Sequence, residues 1–472
     1  NLKKYRGEET HSLKILLDKF KKDSTNRSEV LFKISSIDLK EATFIYKDEI
    51  KDEQSDIYLD SLSIIAKDLS YINNGLDVII EEFEGEIDDK SGLFEIKTLL
   101  NYKPGDLYLK NLDFKYGPNN LIGNLKLLGK NGSLKNFISS GSIDMEVLES
   151  NFDLKAIFPK NKKFVSFPPL KASFNSKGKF SALEFSNLKI SNSIIDYYGG
   201  IESKNIFDPN SLRLDFLIDS LQIDAQQLDS ISIIPDKIKN RLKDLSVIKI
   251  NGISSVSNKT IDLNIESNNS WGNFSMSGII GNGIFDPKRL DKTFSFNVSL
   301  IDLDLSGLIS RNTDFKLGTR LSIKGDLSNK IKPIFSWETN NSRISSRDMS
   351  LDGISMQGRI EENQLRNTLS INSEAIKLKS DALYNYNLKN PQTTVLANIE
   401  RLDLNSIGLN FGAQKKEFKG IISSNIKGNS IDSLVGIINI SSASIKNEIY
   451  SEIFNPISIT LKSENNKNNL RI

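Results

Sequence analysis

The chain has 472 residues, and at about 150 residues per domain this suggests roughly three domains, unless one repeat architecture runs through it. Its 62 Lys and Arg against 60 Asp and Glu leave a net charge of +2, with both signs interspersed. That balance argues against a nucleic-acid binder, and 38% apolar residues is too many for a disordered tail. Cysteine is absent, so disulfide scaffolds, thiolate zinc sites and cysteine nucleophiles are excluded. A single histidine, His11, removes every His-pair metal site and any mechanism driven by paired imidazoles.

The first predicted element is a helix over 11–22, where Leu13, Leu16, Leu17 and Phe20 form one apolar stripe. Polar stretches at 47–56 and 81–90 read as solvated loops or strand faces. From there period-2 alternation dominates: Leu107 and Leu109, Leu125 and Leu127, Leu183 and Phe185, then Leu212, Leu214, Phe216 and Ile218. A second helix is predicted over 225–245, broken by Pro235. Alternation resumes at Ile261, Leu263 and Ile265. It is cleanest at Phe294, Phe296, Val298 and Leu300, and continues through Leu321 and Ile323 to Ile457, Ile459 and Leu461. Successive strand side chains point to opposite faces, so each segment is apolar on one side and solvated on the other. This is the signature of antiparallel sheet with one wet face.

Connectors rich in Asn, Asp, Gly and Ser punctuate the strands, among them Asn119-Asn120, Gly129-Lys-Asn-Gly132 and Asn340-Asn341. Such residues tolerate φ > 0 and close tight turns. A strand, a short Asp/Ser/Asn connector and another strand recur at 57–64, 212–223, 294–303 and 395–404. A short apolar-Asp-Ser-Leu motif recurs at Leu59–Leu62, Ile218–Leu221 and Ile431–Leu434. The spacing is irregular, unlike a counted-repeat array. The expectation is an all-β, elongated architecture: an entry segment over residues 1–30, then a continuous repeating sheet over 31–472 with no internal boundary.

Catalytic signatures are scarce. The Gly-Lys pairs at 129 and 178 lack the glycine a phosphate loop needs five positions earlier, and Gly278-Ile-Ile-Gly-Asn-Gly283 opens no helix. Asp302 and Asp304 read as alternating acids on a solvent face rather than a calcium loop. Trp271 and Trp337 read as packing anchors, and no carboxylate pair stands out for glycoside hydrolysis. No catalytic residue, metal or cofactor is expected.

What remains is a long sheet with one continuous apolar face. Left open, that face would exceed the few hundred Å² a soluble monomer exposes. A second sheet over it, or curling of the sheet into a trough, would cover it. No run reaches the roughly 18 apolar residues of a membrane span. The chain starts without Met and stops at Leu470-Arg-Ile472, which reads as the interior of a longer protein.

Tyr5-Arg-Gly-Glu-Glu-Thr-His-Ser-Leu-Lys-Ile-Leu-Leu-Asp-Lys-Phe20 and Phe32-Lys-Ile-Ser-Ser-Ile-Asp-Leu-Lys-Glu-Ala-Thr-Phe-Ile-Tyr-Lys-Asp48 resemble the N-terminal region of the TamB family in its Bacteroidota form. These are the translocation and assembly module subunits, which belong with the AsmA-like proteins. Gly178–Ile190, Gly420–Gly428 and Ile431–Ile440 are similar to that family's strand-Gly-strand units. The resemblance implies a U-shaped antiparallel β trough with an apolar lining, bridging the periplasm. It also implies an inner-membrane helix and a C-terminal β domain outside this segment. The implied role is phospholipid transport toward the outer membrane. The alternative is a scaffold for outer-membrane protein assembly with a BamA/TamA-type barrel.

Elementary energetics is compatible with a conduit. Roughly 25–35 strands at about 4.8 Å each make a trough on the order of 120–170 Å long. Moving a 16-carbon acyl chain into water costs about 12 kcal/mol at about 0.8 kcal/mol per CH₂, a barrier that a continuous apolar lining would largely remove. The expected lining is Leu107, Leu109, Leu183, Phe185, Leu212, Leu214, Phe216, Ile218, Phe294, Phe296, Val298 and Leu300. Ordinary sandwich core is the competing assignment for these residues. An adhesin-like repeat protein and an undetected enzyme are the remaining functional alternatives.

Overall fold

A computed structural model describes residues 2–4, 32–48, 57–72, 75–87, 93–130, 137–157, 166–206, 208, 210–230, 239, 246–269, 271–281, 292–304, 315–329, 333–346, 349–386, 391–406, 416–428, 434–447, 449–464 and 467–471. The alternating sequence dictates what it forms, since 81% of the described residues are in strands. The chain divides into two compact units, residues 1–240 and 241–472.

In the first unit the strands are β1 (Leu2–Lys4), β2 (Phe32–Asp48), β3 (Ile57–Ile72), β4 (Gly75–Ile87), β5 (Leu93–Lys103) and β6 (Asp106–Tyr116). They continue with β7 (Asn119–Leu128), β8 (Ser142–Phe152), β9 (Leu170–Lys179), β10 (Ala182–Ser191), β11 (Ile195–Lys204) and β12 (Arg213–Asp224). From β2 to β12 each strand pairs antiparallel with the next, a pure meander, while β1 lies parallel to β2.

The second unit opens with β13 (Val247–Ser257), β14 (Thr260–Asn269), β15 (Gly272–Gly281), β16 (Thr293–Asp304), β17 (Phe315–Asp326), β18 (Ile334–Ser346) and β19 (Ser350–Glu361). It continues with β20 (Gln364–Asn372), β21 (Ile376–Asn385), β22 (Gln392–Asp403), β23 (Glu417–Lys427), β24 (Val435–Lys446), β25 (Ser451–Ile453), β26 (Ile457–Glu464) and β27 (Lys467–Arg471). This is again an antiparallel meander, with β25 and β26 pairing successive parts of β24 and β27 pairing β26. The all-β, antiparallel expectation holds.

Among the described residues helix is found as single turns at Phe137–Ser140 and Leu154–Ile157, a 3₁₀ segment at Ala225–Ser230 and helical backbone at Lys239. The predicted second helix therefore begins as 3₁₀, with Ala225 and Leu228 buried; most of its remainder lies outside the described residues, as does the predicted helix over 11–22.

The recurrent strand–connector–strand pattern needs correction. At 57–64, 212–223, 294–303 and 395–404 there is no connector. Apart from the end residues Leu212 and Leu404, each lies on a single strand, respectively β3, β12, β16 and β22, interrupted by a β-bulge. Asn340-Asn341 is likewise a bulge in β18 and not a turn, and Asn119-Asn120 opens β7.

A bulge puts one extra residue on its strand, bends it and increases its twist. Ser61, Asn111, Asn187, Asp302, Asn341 and Ser442 occupy that position with φ between 49° and 53°. The left-handed region costs a non-glycine residue about 1–2 kcal/mol and is most tolerable for Asn and Asp. The extra residue also restores parity: Leu300 and Leu303 both lie on the apolar face, with Ile301 and Asp302 between them. Five of the apolar side chains that follow such a residue are fully covered, Leu62, Leu112, Leu188, Leu303 and Ala443, whereas Ala42 and Leu69, which follow Glu41 and Asp68, are half-buried.

Side chains satisfy the polar backbone groups near the bulges. Thr98 Oγ1 donates to the Lys110 carbonyl (2.9 Å) and Ser203 Oγ to the Leu183 carbonyl (2.9 Å). The Asn111 amide donates to Asn124 Oδ1 (3.0 Å) and the Ser61 amide to Asp60 Oδ1 (3.0 Å). Buried polar groups left unpaired would each cost about 1–3 kcal/mol.

Candidate functional site

Residues directly opposite one another on paired strands share a face, so the register traces rows of side chains across each unit. In the first unit one row runs Val78, Leu100, Leu109, Leu125, Met145, Ser176, Phe185, Ile201 and Phe216. The row beside it runs Leu76, Tyr102, Leu107, Leu127, Ile143, Gly178, Leu183, Ser203 and Leu214. Six of the sequence-predicted lining residues thus fall into two adjacent rows. Ile218 lies opposite Gly199, next to the β12 bulge, on the same face. Leu212 stands just before β12 and belongs to no paired row.

In the second unit Phe294, Phe296 and Val298 each anchor a row across β13–β26, thirteen residues long. The middle row passes from Ser254 and Leu263 through Gly278, Phe296, Ile323, Trp337 and Gly358. It goes on to Asn367, Ala382, Val395, Ser424, Ile438 and Ile459. At about 4.8 Å per strand this row is roughly 58 Å long. Leu300 lies on the same face, opposite Thr319.

Burial separates a groove lining from a closed core. Of the twelve predicted residues only Leu183 is fully buried; the other eleven are half-buried. A sandwich whose two sheets interdigitate would bury such side chains completely. Here they form an apolar surface that remains partly accessible.

The aromatic side chains lie down along this surface. A Cβ at Gly358 would sit 2.0 Å from the Trp337 ring, and one at Gly325 2.4 Å from the Phe294 ring. One at Gly278 would meet the Phe296 ring at 2.6 Å. Each ring therefore covers a glycine on the neighbouring strand, which levels the face. Trp271 stacks on Phe274 with centroids 6.0 Å apart. Both tryptophans are packing residues in this sense. Sequence reading did not anticipate the ring–glycine pairs, since each joins residues that only the register brings together.

Tyr197 is a buried polar member of the face. Its hydroxyl lies 2.9 Å from the Leu217 carbonyl and 3.0 Å from that of Gly200, bridging the backbone next to the β12 bulge. Burial pushes its phenol pKa up, with the nearby Asp219 charge adding to the effect.

The opposite face is polar. Glu95 accepts from Lys97 (2.6 Å) and Lys115 (2.9 Å), and these two bonds hold its carboxyl below the usual range. Asp302 and Asp304 do not simply alternate on that face, because Asp302 is the bulge residue and Leu303 between them is buried. Among the described residues no group of three or more His, Asp or Glu is placed to hold a metal ion, and no helix is long and apolar enough to cross a membrane. His11 lies outside the described residues.

The fold and site define a class of all-β protein built from single antiparallel meanders with one accessible apolar face. Comparison with protein-family models, curated proteins and solved structures finds no match for this chain.

Proposed function

We propose that the chain is a lipid conduit, its sheets curled into a β trough whose apolar rows hold acyl chains of phospholipid. The observation that carries this reading is the continuity of the rows: each crosses nine to thirteen strands without a charged residue, and most of its side chains are half-exposed. Neighbouring positions along a row are chemically near-equivalent. An acyl chain could therefore shift by one strand, about 4.8 Å, without re-entering water. The bulges bend the strands, which favours a curled cross-section over a flat one. No group is assigned to catalysis. In this reading the protein works in the periplasm, tied to the inner membrane through a segment outside this chain, and meets a BamA/TamA-type barrel at the outer membrane.

The test is native mass spectrometry with lipid extraction on the chain purified from a bacterial envelope. Co-purifying phospholipid that disappears in Phe296→Asp is the expected result. A folded, lipid-free protein overturns it and leaves a scaffold for outer-membrane protein assembly.

A further inference from the structure

The polar face of the second unit has a feature the conduit does not use. Register places Lys324, Ser336, Arg359 and Arg366 on one row, with Arg359 directly opposite Arg366. Like charges directly opposite one another on a sheet are destabilising. Neither arginine is offset across the pair. Arg359 reaches along its own strand to Glu361 (2.8 Å), and Arg366 to Gln364 (3.3 Å). Around them the surface is concave, a cavity of about 360 Å³ lined by Ser322, Lys324, Ser336, Glu338, Arg359 and Arg366 among others. Glu338, Glu361 and, on β21, Asp381 balance the three cations in number, but none of them is shared by the two guanidinium groups, each of which turns along its own strand.

We propose that this cavity is a binding site for a phosphate group. Its cations come from three strands, β17, β19 and β20, so a ligand that satisfies all of them must present oxygens in several directions. A tetrahedral phosphate does this: it can accept from two guanidinium forks, the Lys324 ammonium and a serine hydroxyl together, and it relieves the Arg359–Arg366 repulsion. A carboxylate has only two oxygens. The facing acids, Glu338 and, on the next strand, Asp381, disfavour more extended polyanions. The site goes beyond the conduit reading and lies on the opposite face of the sheet from the apolar rows.

The experiment titrates the full chain with inorganic phosphate by calorimetry, against chloride at equal ionic strength, and repeats it on the double variant Arg359→Gln/Arg366→Gln. Saturable binding that weakens at least about tenfold in the double variant is expected. Removing the opposed charges should leave thermal stability in chloride unchanged or raised, so a folding failure is visible separately. A second arm uses dihexanoyl phosphatidic acid below its micelle concentration. Tighter binding than inorganic phosphate, with the same dependence on the arginines, assigns the group to a lipid headgroup; equal binding assigns it to a free phosphate. Absence of binding, or binding equal in the double variant, overturns the site. Loss of co-purified lipid in Phe296→Asp tests the conduit independently, because that side chain is on the other face.

Discussion

Strands β16 and β17 are neighbours of the same length, and they present the same face by different means. β17 alternates without a break through Phe315, Leu317, Thr319, Leu321, Ile323 and Gly325. β16 alternates only as far as Leu300, skips two residues at Ile301 and Asp302, and resumes at Leu303. In the straight strand the apolar side chains stay half-exposed, whereas in the bulged strand the residue after the skip is buried. At this pair of strands the bend adds a fully buried leucine that the straight strand lacks. Local creases of this kind supply part of the small core, beside clusters such as Leu351, Ile354 and Ile376.

The sharpest way to break that comparison is to truncate both leucines. Leu303→Ala should cost about 2–4 kcal/mol, as for a buried leucine, and Leu321→Ala about half of that, read from urea midpoints. Equal costs would mean the bulge adds no packing. Next comes the backbone. At the left-handed position of β10, Asn187→Val should destabilise by about 1–2 kcal/mol and Asn187→Gly should be close to neutral. A smaller effect is expected at Tyr197, where Tyr197→Phe removes one hydroxyl bridge and should cost about 1 kcal/mol.

The smallest concerns the solvated face of the straight strand β5. Glu95 has a lowered pKa in the folded protein, so its stabilisation is present above the ordinary carboxylate value of 4.5 and fades as pH falls through the folded pKa. The gap between the parent chain and Glu95→Gln should be at most about 0.5 kcal/mol at pH 7 and close as pH drops below 4.5. A gap that is unchanged at low pH would mean the Lys97 and Lys115 bonds contribute nothing.

Much of this face was legible in the sequence. Alternation located the strands, and eleven of the twelve proposed lining residues lie on one face of their strands because side-chain parity is local information. Leu212 fell just outside its strand for the usual reason that boundaries are set by hydrogen bonding and not by hydropathy. The bulges were visible only as an anomaly: Asp60-Ser61 and Asp219-Ser220 look like turn residues, and composition alone does not distinguish a strand that turns back from one that kinks and continues. The ring–glycine pairs and the Arg359–Arg366 apposition were out of reach, since they depend on which strand positions meet across the ladder.

The meander itself has a consequence for how such a chain acquires its length. Every strand from β2 to β12, and from β13 to β24, is joined to its sequence neighbour. Folding can therefore start at any hairpin and spread outward without waiting for distant segments to find each other. By the same logic, duplicating or deleting one hairpin lengthens or shortens the rows by two steps, about 9.6 Å, and leaves every other register intact. Length in this architecture is a quantity that inheritance can adjust in fixed increments, like links in a chain.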